Sequence, residues 1–584
     1  MSVDYYGRMR FKPVLVPLLL SLAFGLHAQS PAKSEPGFKS SAMDSLLFYQ
    51  LLVGELNARS EEPDAAFALL LDAARKTADP AVYRRAIQIA IQARAGESAL
   101  KAAKAWSQAI PASAQAHRYT WQILLGLNRT AETLEPLKRE IALTPAGELR
   151  DLLWALPGNY LRASDRRLAA STVQGALAGV LNDKAVGATA WAVVGRFWLA
   201  ASDKPAALSA ANKSFAIDNK SEHAALLALS LMSPDLPPAE NLVKQHLPHA
   251  RPEFRMAYIK ALLDVHRTDE ATAELEIIKT RSPGYADAWL IDGALALQMK
   301  QLPLAEQQLQ RYLDLVEGQP LDQQAPEIRR GRAQALMSMA QIAQLRKQPE
   351  KADAWLQRVD NPDDVLRAQI RRASIMAQQG RLEEALALIN SQVERAEPDA
   401  ALKRAAVVQI LKDQKLFDRA RDELKAAMLQ SPDDADLAYD LAMVNEKLGD
   451  LVEMERLLRG LIAAKPQDPH AYNALGYSLA DRKLRLPEAK QLITQALELA
   501  PGDPYITDSL AWAEFRSGNN DEALRLLQSA FKSKPDAEIA AHLGEVLWTV
   551  RRQDEAIQIF KEGVKINPDN DTLVETIRRL RIPL

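Results

Sequence analysis

The stretch "AYNALGYSLADRKLRLPEAKQLITQALELAP" (Ala471–Pro501) puts the choice of fold on one glycine. Its first eleven residues carry apolar side chains at three- and four-residue spacing, which reads as a helix. Yet Gly476 lies in the middle, where glycine costs about 1 kcal/mol relative to alanine. The "GYS" there offers a rival reading, a nucleophile turn. Recurrence decides between them. Pro398, Pro432, Pro466, Pro501, Pro535 and Pro568 follow one another at 34, 34, 35, 34 and 33 residues. Small residues keep step: Ala511, Ala523, Ala530 and Pro535 are matched by Gly544, Ala556, Gly563 and Pro568, and by Gly476, Ala489, Ala496 and Pro501 with one residue inserted before Ala489. Each period therefore predicts two antiparallel helices. Small residues let their backbones approach, and a proline ends the second helix because its ring clashes with the preceding turn. Gly476 is expected at the helix crossing, facing Ala489.

The composition agrees. The chain has 584 residues, more than one compact core usually holds. It is 48% hydrophobic, 25% charged and only 6% aromatic, with a formal charge of −2 and the two signs interspersed, so no basic nucleic-acid face stands out. There is no cysteine, which excludes disulfides, thiol catalysis, zinc–thiolate sites and a lipid-bearing cysteine. Arg8, Arg10 and Lys12 precede the apolar run Val14–Leu26, and the small Ala28 follows. This is the pattern of a secretory leader over 1–28, with Met9 as an alternative start. The apolar run is too short to span a bilayer. Export without disulfides points to a bacterial periplasm.

Catalytic patterns are absent. There is no Gly-rich phosphate loop, His-Glu-x-x-His or Gly-x-Ser-x-Gly. His246 and His249 lie close together on a proline-broken segment, read as a solvated turn rather than a metal site. Ser529 and Lys532 are one helical turn apart on a repeat helix, with no pocket implied. The chain is expected to be no enzyme and to carry no cofactor or metal.

The repeats resemble the tetratricopeptide repeat (TPR) family, whose pattern "W…LG…Y…G…A…F…A…P" is matched best by Ala471–Pro501, Tyr505–Pro535 and Ala537–Pro568. Weaker copies lie at Trp191, Gly195, Trp198 and Ala207, and at Trp289, Gly293 and Ala305; Leu47–Ala74 looks like a first hairpin. The resemblance implies an all-α, right-handed solenoid of stacked hairpins. The segments expected are a leader (1–28), a linker (29–45), a degenerate N-terminal array (46–232), a Pro-rich bend (233–253), a central array (254–397), a regular C-terminal array (398–568), and a capping helix and tail (569–584). A continuous solenoid with long turns is the alternative to the bend, and 316–327 reads as a longer connection.

TPR arrays bind partners in a groove lined by the first helix of each hairpin. Carried over to matching positions, that groove takes Asn473 and Tyr477, then Asp508, Trp512 and Phe515, then Ala541, Glu545 and Trp548, with Tyr505 and His542 beside them. Such a surface suits a peptide or protein segment. The alternative, that Trp512, Phe515 and Trp548 are core, stays open. "NALGYSLADR", "DSLAWAEFRSG" and "EIAAHLGEVLW" further resemble proteobacterial outer-membrane TPR lipoproteins. That resemblance implies a periplasmic scaffold, peripheral to the outer membrane, whose partners are a carboxyl-terminal processing protease and cell-wall hydrolases. The family's lipid-bearing cysteine is missing here. A TPR component of polysaccharide export or envelope assembly is the alternative, and an enzyme within Leu143–Leu247 a third.

Overall fold

The structure, a computed structural model, describes residues 44–583 apart from 61 and 318–324. The expected leader, most of the linker and the middle of the 316–327 connection lie outside the described residues. Among those described there are thirty-one α-helices, three short 3-10 turns and no strand. The helices pack as stacked antiparallel hairpins, the fold class expected. Pro469–Asp481 lies on Leu486–Leu499, Pro504–Arg516 on Asn520–Ser533, and Ala537–Thr549 on Gln553–Ile566. None of the helices is long and apolar enough to cross a membrane.

Local chemistry sets where the helices begin. Asp468, Asp503 and Asp536 precede three of them, and their carboxylates accept from the backbone N–H of His470 (2.9 Å), Tyr505 (2.8 Å) and Glu538 (2.8 Å). These bonds satisfy amides that the first turn leaves orphaned. Pro469 and Pro504 occupy first-turn positions, where no amide hydrogen is missed. The same rule reshapes the Pro-rich stretch at 233–253. Its prolines start helices rather than prevent them: Pro237–His246 is helical, a 3-10 turn spans Leu247–His249, and another helix opens at Pro252.

Gly476 lies where the repeat requires a missing side chain. A Cβ there would stand 2.5 Å from Ile493 Cγ1 and 2.9 Å from the Ala489 carbonyl oxygen. The opposing helix has no room to yield, so the rival turn is ruled out. Between the helices of a hairpin a residue takes the left-handed conformation, joined by Arg485 in the turn that holds Lys483, and this device also recurs. It falls on Lys347, Gly380, Lys415, Gly449, Lys483, Gly518 and Arg551, all at φ between 55° and 92°.

The chain divides between Phe254 and Arg255 into two compact units. The first has a core around Trp106, Trp121, Leu153, Val193 and Phe197. The second runs through Leu309, Leu336, Leu411, Leu458, Leu475, Leu527 and Phe560. Its last helix, Asp571–Leu580, buries Leu573 and ties Arg579 to Glu545. Its first residue, Asp571, also meets Lys415 at 3.3 Å, a contact across 156 residues of chain.

Candidate functional site

The residues assigned to the groove lie on the helices Pro469–Asp481, Pro504–Arg516 and Ala537–Thr549 of the second unit. The structure draws several of them into one polar cluster. His542 is its centre. Its Nδ1 lies 2.9 Å from Asp508 Oδ2 and its Nε2 lies 3.3 Å from Tyr477 Oη. The Trp512 ring stacks on the imidazole, with centroids 4.2 Å apart and planes 21° from parallel. Trp512 Nε1 donates to Asp481 Oδ1 at 3.0 Å, while Arg516 reaches the Asp481 carbonyl oxygen and lies over the Trp512 ring at 5.3 Å. Phe515 tilts against Trp512 at 5.2 Å, and Glu545 accepts from Arg579.

Burial sorts these residues. His542, Trp512, Asp508 and Glu545 are only 2–5% exposed. Ala541 is fully buried, so it presents no surface to a ligand. Asn473, Tyr477, Phe515 and Trp548 are half-buried, and Trp548 packs against the C-terminal core. Tyr505 is 48% exposed. Asn473 Oδ1 is a buried acceptor without a partner.

The charge state follows from the packing. Burial opposes a charge on His542. The Asp508 carboxylate, by charge and by hydrogen bond, with Glu538 and Glu545 beyond it, outweighs burial and raises the imidazole above its ordinary 6.5. Burial, reinforced by Glu538, Asp481 and Asp508, pushes the Tyr477 phenol well above 10, so it stays protonated. Burial also raises Glu538. Tyrosine, histidine and aspartate in a row have the order of a proton relay, but a relay must reach a substrate. Here the imidazole is covered by indole and its carboxylate is buried. The cluster therefore ties three successive hairpins together.

Sequence reasoning missed Asp481, Arg516 and Arg579, which complete this cluster from helix ends and from the capping helix. Only the folded stack brings them to the positions already named. His246 needs a correction. It is not on a solvated turn but 3% exposed, with its ring edge-on to Phe254 at 4.9 Å, because Pro237–His246 is a helix that turns Leu242, Val243 and His246 inward. His249 remains exposed. No cluster of His, Asp and Glu able to hold a metal occurs among the described residues.

Tetratricopeptide repeat models match residues 411–476 and 509–571. A TPR repeat-containing protein of Pseudomonas aeruginosa is 33% identical over 247 residues, which is 42% of this chain and 42% of that protein. The match thus spans about two fifths of that relative's length. Among solved structures, a thermophilic TPR protein of Thermus thermophilus is 20% identical with a TM-score of 0.29, covering 31% of this chain and 99% of that one. Yeast Tom70 is 15% identical with a TM-score of 0.35, covering 92% and 95%. Tetratricopeptide repeats are generally non-catalytic scaffolds that bind protein partners, and nothing in the matches marks an enzyme.

Proposed function

We propose that this chain is a non-enzymatic scaffold of the Gram-negative cell envelope, exported to the periplasm. In this reading it holds a carboxyl-terminal processing protease and presents cell-wall hydrolases to it. The observation that carries the scaffold reading is a stack of hairpins, matched by tetratricopeptide repeat models over 411–476 and 509–571, in which the imidazole and carboxylate of the relay-like cluster are buried. The basic and apolar leader pattern supports export. The motifs around Leu475, Trp512 and Gly544 support the protease pathway by their resemblance to the lipoprotein family. Because the chain has no cysteine to acylate, attachment to the outer membrane would be peripheral, through a partner.

Affinity purification of the tagged chain from periplasmic extract, with mass spectrometry of its N-terminus, tests the proposal. The expected result is a mature chain beginning after Ala28 and a co-purifying carboxyl-terminal processing protease. A secretion porin in its place would move the reading to polysaccharide export. An uncleaved chain confined to the cytoplasm would overturn the location.

A further inference from the structure

We propose that three packed helices of the first unit carry a receptor for the acidic side chains of an extended partner segment, built from Arg196, Trp154 and His223 and flanked by Arg150. This rests on the scaffold reading but concerns a different unit from the groove assigned above.

Trp154, Arg196 and His223 lie on the helices Ala146–Asn159, Gly187–Ala200 and Glu222–Leu231, which pack side by side along the stack. The Arg196 guanidinium lies over the Trp154 ring, 4.5 Å from its centroid, and the His223 ring meets the same indole at 4.2 Å. All three are half-buried. Stacking on an indole holds a guanidinium by its face and leaves its N–H edges for an acceptor in the same plane. No such acceptor is supplied from within. Among the described residues neither Arg196 nor His223 has a hydrogen bond or an ion pair, and Arg150 donates only Nη2, to the Ala185 carbonyl oxygen at 3.0 Å. The charged groups acting on His223 are Glu222, Arg150 and Arg196, and Glu222 is already held by Arg251 at 2.5 Å. Elsewhere in the chain some half-buried arginines meet carboxylates, as Arg85 meets Glu55, Arg372 meets Asp353 and Arg482 meets Glu446, and others, such as Arg371 on Gln344 and the Met337 carbonyl, do not. At Arg196 the counter-charge is missing, and a partner can bring it.

The chemistry selects the ligand. A guanidinium fork matches a carboxylate in two parallel hydrogen bonds. The patch is too small for nucleic acid, which needs a basic stripe along a face. Packed helices lie about 8–10 Å apart, and an extended chain in the polyproline II form advances about 3.1 Å per residue and returns to the same face at every third residue. Acidic residues three apart on the partner would therefore address Arg196 and Arg150 on successive helices.

The test uses the full purified chain and amidated, fluorescein-labelled peptides read by anisotropy at low salt. One peptide carries two glutamates three residues apart in glycine, the second carries glutamines, and a third carries glutamine with a free C-terminus. The glutamate peptide is expected to bind roughly tenfold or more tightly than the glutamine peptide, the scale of one charge-assisted contact. Arg196→Met, which keeps the packing on Trp154, should remove that preference while leaving the melting midpoint in place. Arg150→Met, on an exposed side chain, should weaken it without risk to the fold. Equal binding of the first two peptides, or an unchanged preference in a folded R196M chain, would overturn the proposal. Binding that needs the free C-terminus would overturn the assignment to side chains. A wild-type chain that captures no envelope partner yet prefers the glutamate peptide would remove the scaffold reading and leave this site standing.

Discussion

Two polar clusters, one in each unit, use their side chains in opposite ways. In the second unit the cluster around His542 is satisfied internally. His542 is bound on both nitrogens, Trp512 is tied to Asp481, Glu545 to Arg579, and Arg482 to Glu446. In the first unit, Arg196 and His223 lie against the Trp154 indole with no hydrogen bond or ion pair among the described residues. The difference teaches that repeat regularity and binding capacity need not coincide. The regular C-terminal repeats keep their signature because each signature residue is packed. In the degenerate N-terminal repeats, Arg196 is held by an indole, with no carboxylate of the described residues beside it.

The sharpest way to break this contrast is to remove Trp512. Trp512→Ala deletes a buried ring, its stack on His542 and its hydrogen bond to Asp481, and should cost about 3–5 kcal/mol in denaturant unfolding. A chain that melts normally yet loses its partner would return Trp512 to the groove. Gly476→Leu comes next. It forces a side chain into the 2.5 Å gap before Ile493 and should cost about 1–3 kcal/mol, read as a lowered unfolding midpoint. An unchanged midpoint would mean that the crossing is loose.

The His542 cluster gives a smaller effect with a defined sign. Its pKa is higher folded than unfolded. The stabilisation is therefore fully present below the unfolded value of 6.5 and is lost as pH rises through the folded value. The stability advantage of wild type over His542→Gln should shrink from pH 6 toward pH 9, measured by urea unfolding across that range. An advantage that grows with pH would mean that the imidazole is neutral in the fold. The smallest change is expected from Lys347→Gly, which relieves a left-handed backbone at φ 57°. The relief is offset by the freer unfolded chain, leaving a gain of about 0.5 kcal/mol. A clear loss of stability would show that the lysine side chain contributes more than its backbone strain costs.

Much of the fold could be read from residues whose side chains are small for one reason. Gly476, Ala489 and Ala496 have no alternative role, so their spacing announces the crossing. The left-handed turn residues are as periodic, but lysine, arginine and glycine share the position and hide it. Prolines at 237, 238 and 252 look like breaks because a sequence does not show whether a proline falls in a first turn or an interior. The C-terminal cluster was half legible. Tyr477, Asp508, Trp512 and His542 could be named from repeat positions, but whether an aromatic there faces solvent or the next hairpin depends on how tightly successive hairpins stack. Trp154 and His223 carried no signal, since they fall outside the copies that could be registered, and Arg196, although it follows Gly195 in a weak copy, sits at a position that nothing there marks.

The contact between Lys415 and Asp571 changes what kind of object the second unit is. A row of repeats that touch only their neighbours behaves like beads on a line, and a disturbance at one bead fades along it. Joining two beads 156 residues apart turns the line into a loop, so a twist introduced at one hairpin is felt from both directions. The join is slight, with side chains 70% and 87% exposed, and an exposed pair is worth about 0–1 kcal/mol and weakens with salt. Raised ionic strength should therefore open this join while leaving every hairpin folded, returning the second unit from a loop to a line.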